Sequence, residues 1–168
     1  MTGDDERLLL ELYLARYGRF VTLATALCGS SAAAEDVVQE TYVRLFARPR
    51  RLRDPEAAEA YLRTVVVNLS RRHHRHKGAG EVSVVPDLLD ARAREDNDPA
   101  TGVQRRHDLV VALGRLPRRQ REVVSLRYLL DLTEQQTAQA LGITVGTVKS
   151  TTSRGLAALA ARLETDHA

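Results

Sequence analysis

The stretch TEQQTAQALGITVGTVKSTTSRGLAALAARL, residues 133–163, decides the fold. Thr133 and Gln136 fit a capping box, in which both side chains reach N–H groups left free at a helix start. Gly142 is suited to end this first helix because glycine tolerates positive φ. Thr144 can then cap a second helix. A helix, a short turn containing glycine and a second helix together predict a helix-turn-helix.

The second helix of this hairpin has two unlike faces. Its apolar stripe at helical spacing consists of Val145, Val148, Thr152, Leu156, Leu159 and Leu163. Its opposite face is small and polar: Gly146, Thr147, Ser150, Ser153 and Arg154, with Lys149 and Thr151 on the flanks. Such a face can enter a major groove, where arginine binds guanine in bidentate fashion. Taken alone, the pattern also fits an ordinary surface helix of a small bundle.

The charge of the chain is unevenly distributed. The 168 residues carry a formal net charge of only +3. Between residues 47 and 77, however, nine arginines and lysines stand against Asp54, Glu56 and Glu59. This local excess indicates a surface for a polyanion, although such runs can also be merely solvated.

Several protein classes are disfavoured by composition. Cys28 is the single cysteine, which excludes an internal disulfide and a multi-cysteine metal site. His73, His74 and His76 lie among arginines that repel a cation, so we expect no metal and no cofactor. No glycine-rich phosphate loop or G-x-S-x-G motif appears, so we expect no enzyme. With an acidic start and no apolar run of ~20 residues, we expect a cytoplasmic protein without membrane insertion.

Apolar periodicity predicts helices along most of the remaining chain. The expected core residues of the first half are Leu8, Leu12, Ala15, Phe20, Leu23, Leu27, Val38, Tyr42, Leu45, Phe46, Ala58, Tyr61, Leu62, Val65 and Leu69. Ser30 or Ser31 is the expected cap between the first two helices. Residues 78–101 are rich in Gly, Pro and Asp, a composition that indicates a linker. We therefore predict an all-α protein with two small helical domains, 1–77 and 103–164, joined by a flexible linker, 78–102.

Three segments in order carry a family resemblance. The first is AAAEDVVQETYVRLFAR (32–48), whose Asp36, Gln39 and Glu40 match a D-x-x-Q-E motif. The second is YLRTVVVNLSRRHHR (61–75). The third, residues 113–159, matches L-P-x-x-x-R-x-V followed by a helix-turn-helix with TVKS. On these motifs the chain resembles the extracytoplasmic-function (ECF) sigma factors of the σ70 family of bacterial transcription initiation factors, and within them the SigE-like actinobacterial group.

The resemblance implies a function and partners. Residues 1–77 would form a σ2-like domain and 103–164 a σ4-like domain, together directing promoter-specific initiation. In the family, the outward face of the D-x-x-Q-E helix docks on the β′ clamp helices of core RNA polymerase, and the β flap is a further contact. Carried over, the polymerase-binding residues are Asp36, Gln39, Glu40, Val43 and Arg44. The family also implies an inhibitory partner, commonly an anti-sigma factor.

The resemblance also assigns promoter contacts. The connector and helix of the first half match the regions that capture the −10 element and its flipped base: Arg50, Arg51, Arg53, Asp54, Thr64, Asn68, Arg71, Arg72 and Arg75. The second helix of the hairpin matches the reader of the −35 element: Thr144, Gly146, Thr147, Lys149, Ser150, Ser153 and Arg154. Many relatives have Trp, Ala-Arg and Arg where this chain has Tyr61, Val66–Val67 and Thr151. Because aromatic side chains help to hold single strands, we hypothesise weak intrinsic melting and a demand for a good promoter.

Three alternatives remain open at this point. A stand-alone helix-turn-helix regulator would bind DNA without polymerase. A metal hydrolase would use the histidine cluster. A sigma-like protein that has lost transcription would act only as a binding partner.

Overall fold

The structure, a computed structural model, describes residues 2–48, 54–77 and 99–166. These ranges form seven α helices, which confirms the all-α prediction. They are α1 (Gly3–Cys28), α2 (Ser31–Phe46), α3 (Pro55–Lys77), α4 (Pro99–Gly114), α5 (Arg118–Leu129), α6 (Glu134–Leu141) and α7 (Val145–Asp166). Helix α4 thus begins inside the stretch predicted as linker. No helix in these ranges is long and apolar enough to cross a membrane.

Local caps define where the first helices begin and end. Thr2 and Asp5 form a capping box at the start of α1. Helix α1 ends at Gly29, which adopts φ 72°, a conformation that suits glycine. Ser30 caps α2 by accepting a hydrogen bond from the N–H of Ala33, so one of the two expected serines does serve as the cap.

Helices α1, α2 and α3 pack around a shared apolar core. Its fully buried large side chains include Phe20, Leu23, Val38, Leu45, Leu62, Val66 and Val67. Two expectations are wrong here. Phe46 is 46% exposed, because its neighbour Leu45 takes the inward position and the next residue is turned about 100° away. Ala15 is exposed. Tyr61 is half-buried and packs against the core from its edge.

Helix α7 packs on α5 with a rotated stripe. Val148, Thr151, Gly155 and Leu159 face inward and are buried. Thr151 is 2% exposed, although we expected it on a flank, and Leu156 is 36% exposed, although we expected it in the core. The reason is Gly155, whose missing side chain lets this face of α7 approach Val124 of α5. The difference from relatives that have Arg at position 151, where this chain has Thr, therefore affects interior packing and not the outer face of α7.

The helix-turn-helix is built as predicted. The N–H of Gln136 donates to Thr133 Oγ1 at 3.1 Å, and the N–H of Thr133 donates to Gln136 Oε1 at 3.0 Å. Gly142 ends α6 with φ 66°. The N–H of Thr147 donates to Thr144 Oγ1 at 3.1 Å, which caps α7.

The two predicted halves share one continuous core in the described residues. Buried side chains of α1–α3 are contiguous with Val123, Leu126, Leu132, Leu141 and Val148 of the second half. A second cluster joins Ala26 of α1 to residues of α4, α5 and α7. The two halves therefore pack against each other, an arrangement that could not be predicted from the sequence.

Candidate nucleic-acid interface

The outer face of α7 is open to solvent. Gly146, Thr147, Ser150, Ser153 and Arg154 are all exposed, as the spacing predicts. The Nε of Arg154 donates to the carbonyl oxygen of Ser150 at 3.4 Å, and the residue is exposed. A row of small residues ending in an exposed guanidinium has the shape and donors needed to contact base edges.

Lys149 and Thr144 play different parts on this face. The Nζ of Lys149 lies 3.8 Å from a carboxylate oxygen of Glu134, with both side chains substantially exposed. An exposed pair of this kind is weak, so the ammonium group remains available to a phosphate. Thr144 is exposed, but its hydroxyl oxygen accepts the N–H of Thr147 as the helix cap. Its first role is therefore to fix where α7 begins.

The polar stripe of α3 forms the second candidate surface. Asn68, Arg72 and Arg75 are exposed along it. Thr64 is half-buried, and its hydroxyl donates to the carbonyl oxygen of Ala60 at 3.1 Å. Asp54 precedes the helix, and its carboxylate accepts the N–H groups of Glu56 and Ala57. Arg50, Arg51 and Arg53 lie outside the described residues.

Arg71, on the same stripe, is already occupied by a carboxylate. Its Nε and Nη2 donate to the two carboxylate oxygens of Glu122 at 2.7 and 2.9 Å. The Glu122 side chain is 3% exposed and lies on α5, in the other half of the chain. This hydrogen bond raises the pKa of Arg71 above its already high value, against the opposing effect of burial. Sequence reasoning missed this pair because its members are 51 residues apart.

Further polar contacts also join the two halves. The Nη2 of Arg19 on α1 lies 2.7 Å from Oδ2 of Asp131, in the loop between α5 and α6. The ring of His74 and the guanidinium of Arg121 both contact the carbonyl oxygen of Leu27 at the end of α1. Burial lowers the pKa of Arg121. Within the described ranges, no cluster of three or more His, Cys, Asp or Glu suited to a metal ion is present.

The outward face of α2 is a candidate protein-binding surface. Asp36, Gln39, Glu40 and Val43 are exposed, and the guanidinium of Arg44 pairs with Glu40 at 2.7 Å. Val43 is 68% exposed amid these charged groups. Phe46, which we expected in the core, follows one helical turn later and extends the apolar part of this face.

Comparison with known proteins identifies the family of the chain. The family profile for Sigma-70 region 2 matches residues 12–79, and that for Sigma-70, region 4 matches residues 106–159. The chain is 36% identical over 132 residues to the RNA polymerase sigma-E factor of Streptomyces antibioticus, covering 79% of this chain and 71% of that protein. It is 31% identical over 162 residues to the ECF RNA polymerase sigma factor SigE of Mycolicibacterium smegmatis, covering 92% of this chain and 62% of that protein.

A solved structure shows the same fold. It is CnrH in complex with the cytosolic domain of CnrY, with a TM-score of 0.67 over 96% of this chain and 90% of that chain. The two sequences are 24% identical, so the likeness concerns the fold.

Proposed function

Because the chain belongs to the σ70 family, as an ECF sigma factor that directs transcription initiation, we propose that its described surfaces divide promoter and polymerase recognition between two halves. Residues 1–77 bind core polymerase and the −10 element, and residues 103–164 bind the −35 element. The observation that carries this division is the exposed polar face of α7 on a helix whose opposite face is buried against α5.

The outer face of α7 reads the −35 element in this proposal. The groups that approach base edges are Ser150, Ser153 and Arg154, with Gly146 and Thr147 allowing close approach at the helix start. Lys149 supplies a phosphate contact. Base contacts give specificity and phosphate contacts give position and affinity, so the two kinds of residue have separable effects on binding.

The connector and the polar stripe of α3 hold the −10 element. Asn68, Arg72 and Arg75 are exposed along about two turns of one helix, so they can follow a strand backbone. Thr64 and Arg71 complete the set on α3. Before the helix, Asp54 belongs to the same surface, and Arg50, Arg51 and Arg53 supply positive charge. The flipped base is captured from the non-template strand.

The outward face of α2 binds the β′ clamp helices of core polymerase. Support comes from the apolar Val43, 68% exposed between charged neighbours, since an apolar centre with a charged rim is typical of docking surfaces. Asp36, Gln39, Glu40 and Arg44 form that rim. The second half contacts the β flap.

An inhibitory protein, such as an anti-sigma factor, is the further partner that we propose. The solved structure of similar fold, CnrH, is in complex with the cytosolic domain of CnrY, and this protein complex of a similar fold supports the proposal. The place of action is the cytoplasm, where core polymerase and promoter DNA are found.

Reconstitution tests the proposal. The purified chain is mixed with bacterial core RNA polymerase, and both co-migration and run-off transcription from genomic fragments are measured. Co-migration with promoter-specific transcripts is the expected result. DNA binding without polymerase association would instead favour a stand-alone helix-turn-helix regulator.

A further inference from the structure

We propose that Glu122 holds this sigma factor closed by occupying Arg71, so that the −10 surface of α3 becomes complete only when the two halves separate. The inference rests on the assignment of Arg71 to that surface. In this proposal Glu122, a residue of the same chain, competes with promoter DNA for Arg71.

The carboxylate of Glu122 binds Arg71 as a DNA phosphate would. Both Nε and Nη2 of Arg71 are engaged, at 2.7 and 2.9 Å, by the two oxygens of one carboxylate. A guanidinium forms the same two-pronged contact with a carboxylate and with a phosphate. Arg71 therefore cannot hold Glu122 and a promoter strand together in this geometry.

Glu122 is fixed in position by its own half of the chain. Arg118 and Arg119, one turn before it on α5, place guanidinium nitrogens 3.9 and 3.7 Å from its carboxylate. The side chain is 3% exposed, and burial strengthens the attraction between these opposite charges. Arg118 and Arg119 lie on the same helix as Glu122 and stay beside it when the two halves separate. The carboxylate of Glu122 therefore keeps positively charged neighbours in the open form.

The neighbouring contacts hold α5 against α1 and α3. Arg19 binds Asp131 at 2.7 Å, and Arg121 and His74 meet at the Leu27 carbonyl oxygen. The apolar core continues across the same junction. Separation must therefore be driven by a partner that binds the open form better, as a population shift requires. Core polymerase and promoter DNA are the partners with that differential affinity.

The closed form leaves the other two surfaces open. The outward face of α2 and the outer face of α7 are exposed while Arg71 is occupied. Polymerase and the −35 duplex can therefore be engaged first, and the −10 strand is captured last. This order keeps single-stranded DNA from occupying the free protein.

Oligonucleotide binding by the full-length chain provides the first test. The probe is a short fluorescein-labelled single-stranded oligonucleotide at low salt, read by anisotropy. Glu122→Gln should bind it roughly ten-fold more tightly than the unmodified chain, because the binding-competent fraction rises. Glu164→Gln removes an equal charge from the same half at an exposed position near the end of α7, away from the proposed binding residues, and should have a much smaller effect. The double variant R71Q/E122Q should lose most of the gain.

If Glu122→Gln folds poorly, the distance between α2 and α7 provides a second, independent test. Nitroxide labels on Ala32→Cys in α2 and Ala160→Cys in α7, with Cys28→Ala, report the separation of the halves by pulsed electron spin resonance. Arg71→Gln, which leaves α5 intact, should shift the distribution to longer distances. An unchanged distribution, or an equal gain of affinity in Glu164→Gln, would overturn the inference. If the unmodified chain failed to co-migrate with core polymerase, the proposed function itself would fall instead.

Discussion

Gly155 packs so closely against Val124 that a Cβ added to the glycine would lie only 2.6 Å from Cγ2 of the valine. Val124 is 1% exposed and belongs to the buried cluster that also includes Leu159 of α7. The contact fixes how α7 is rotated on α5, and therefore which of its residues face outward. The orientation of the candidate −35 surface thus depends on one glycine, eight positions after Thr147.

Gly155→Ala should destabilise the protein. The added methyl group overpacks the α5–α7 interface, and the helix propensity of alanine offsets only part of that, so we expect a net loss of about 1–2 kcal/mol. Thermal or urea unfolding measures it. Gly146→Ala is the control, because a Cβ there meets only Thr144 Oγ1 at 3.9 Å. Equal stability of the two variants would contradict the packing described.

Arg154→Ala should relax base preference at one position of the −35 element. A bidentate arginine–base contact is worth about 1–3 kcal/mol of discrimination. Lys149→Ala should weaken all sequences about equally and reduce the dependence of binding on salt. Competition binding of holoenzyme to single-substitution promoters separates the two effects. An unaltered base preference in Arg154→Ala would show that α7 is oriented differently on DNA.

Val43→Asp should weaken binding to core polymerase without loss of folding. The side chain is 68% exposed, so a carboxylate there meets solvent in the free protein. In a complex it would be desolvated without a partner, which costs about 1–3 kcal/mol or more. Affinity for core polymerase measures the effect, with Ala160→Asp on exposed α7 as the surface control. Undiminished affinity would remove Val43 from the interface.

Thr133→Ala should lower stability and −35 affinity together. The substitution removes the hydroxyl that accepts the N–H of Gln136 at 3.1 Å, and loss of such a cap costs about 0.5–2 kcal/mol. Thr133→Ser keeps the oxygen and should behave like the unmodified chain. Melting curves and promoter binding of both variants check this. A serine variant as weak as the alanine variant would point to the methyl group instead.

Alkaline pH should destabilise the first half through Tyr42. Burial, followed by the effects of Tyr13 and Glu59, raises the pKa of this phenol above its ordinary value of 10.0. The folded state therefore keeps the proton where the unfolded state loses it. The contribution of Tyr42 to stability is complete below about pH 10 and falls as pH rises between the unfolded and the folded pKa. Tyr42→Phe should reduce this decline in urea unfolding, whereas Tyr128→Phe, at an exposed position, should not.

Local patterns in the sequence were sufficient to predict the elements and most exposed faces. Capping residues such as Thr133 and Ser30 act within three positions, so their effect is visible in the sequence itself. Periodicity misjudged Phe46 and Leu156 because each lies beside a residue that packs inward better, which only the neighbouring helix decides. Position 151 was misplaced for the same reason.

Contacts between distant parts of the chain could not be predicted. The pair of Arg71 and Glu122, and that of Arg19 and Asp131, depend on how the two halves meet. Neither charge pattern has a local signature. The residues of the candidate −10 surface remain a prediction from the family resemblance, and the contact of Arg71 with a carboxylate was found only in the structure.

Site-specific photocross-linking in the promoter complex tests whether α7 contacts the −35 element and α3 the −10 element. A photoreactive amino acid is placed at Ser153 on α7 or at Asn68 on α3, and the cross-linked nucleotides are mapped in a reconstituted holoenzyme bound to a promoter. We predict that Ser153 cross-links to the −35 duplex and Asn68 to the non-template strand of the −10 element. Cross-links from both positions to the same element, or none from either, would contradict it.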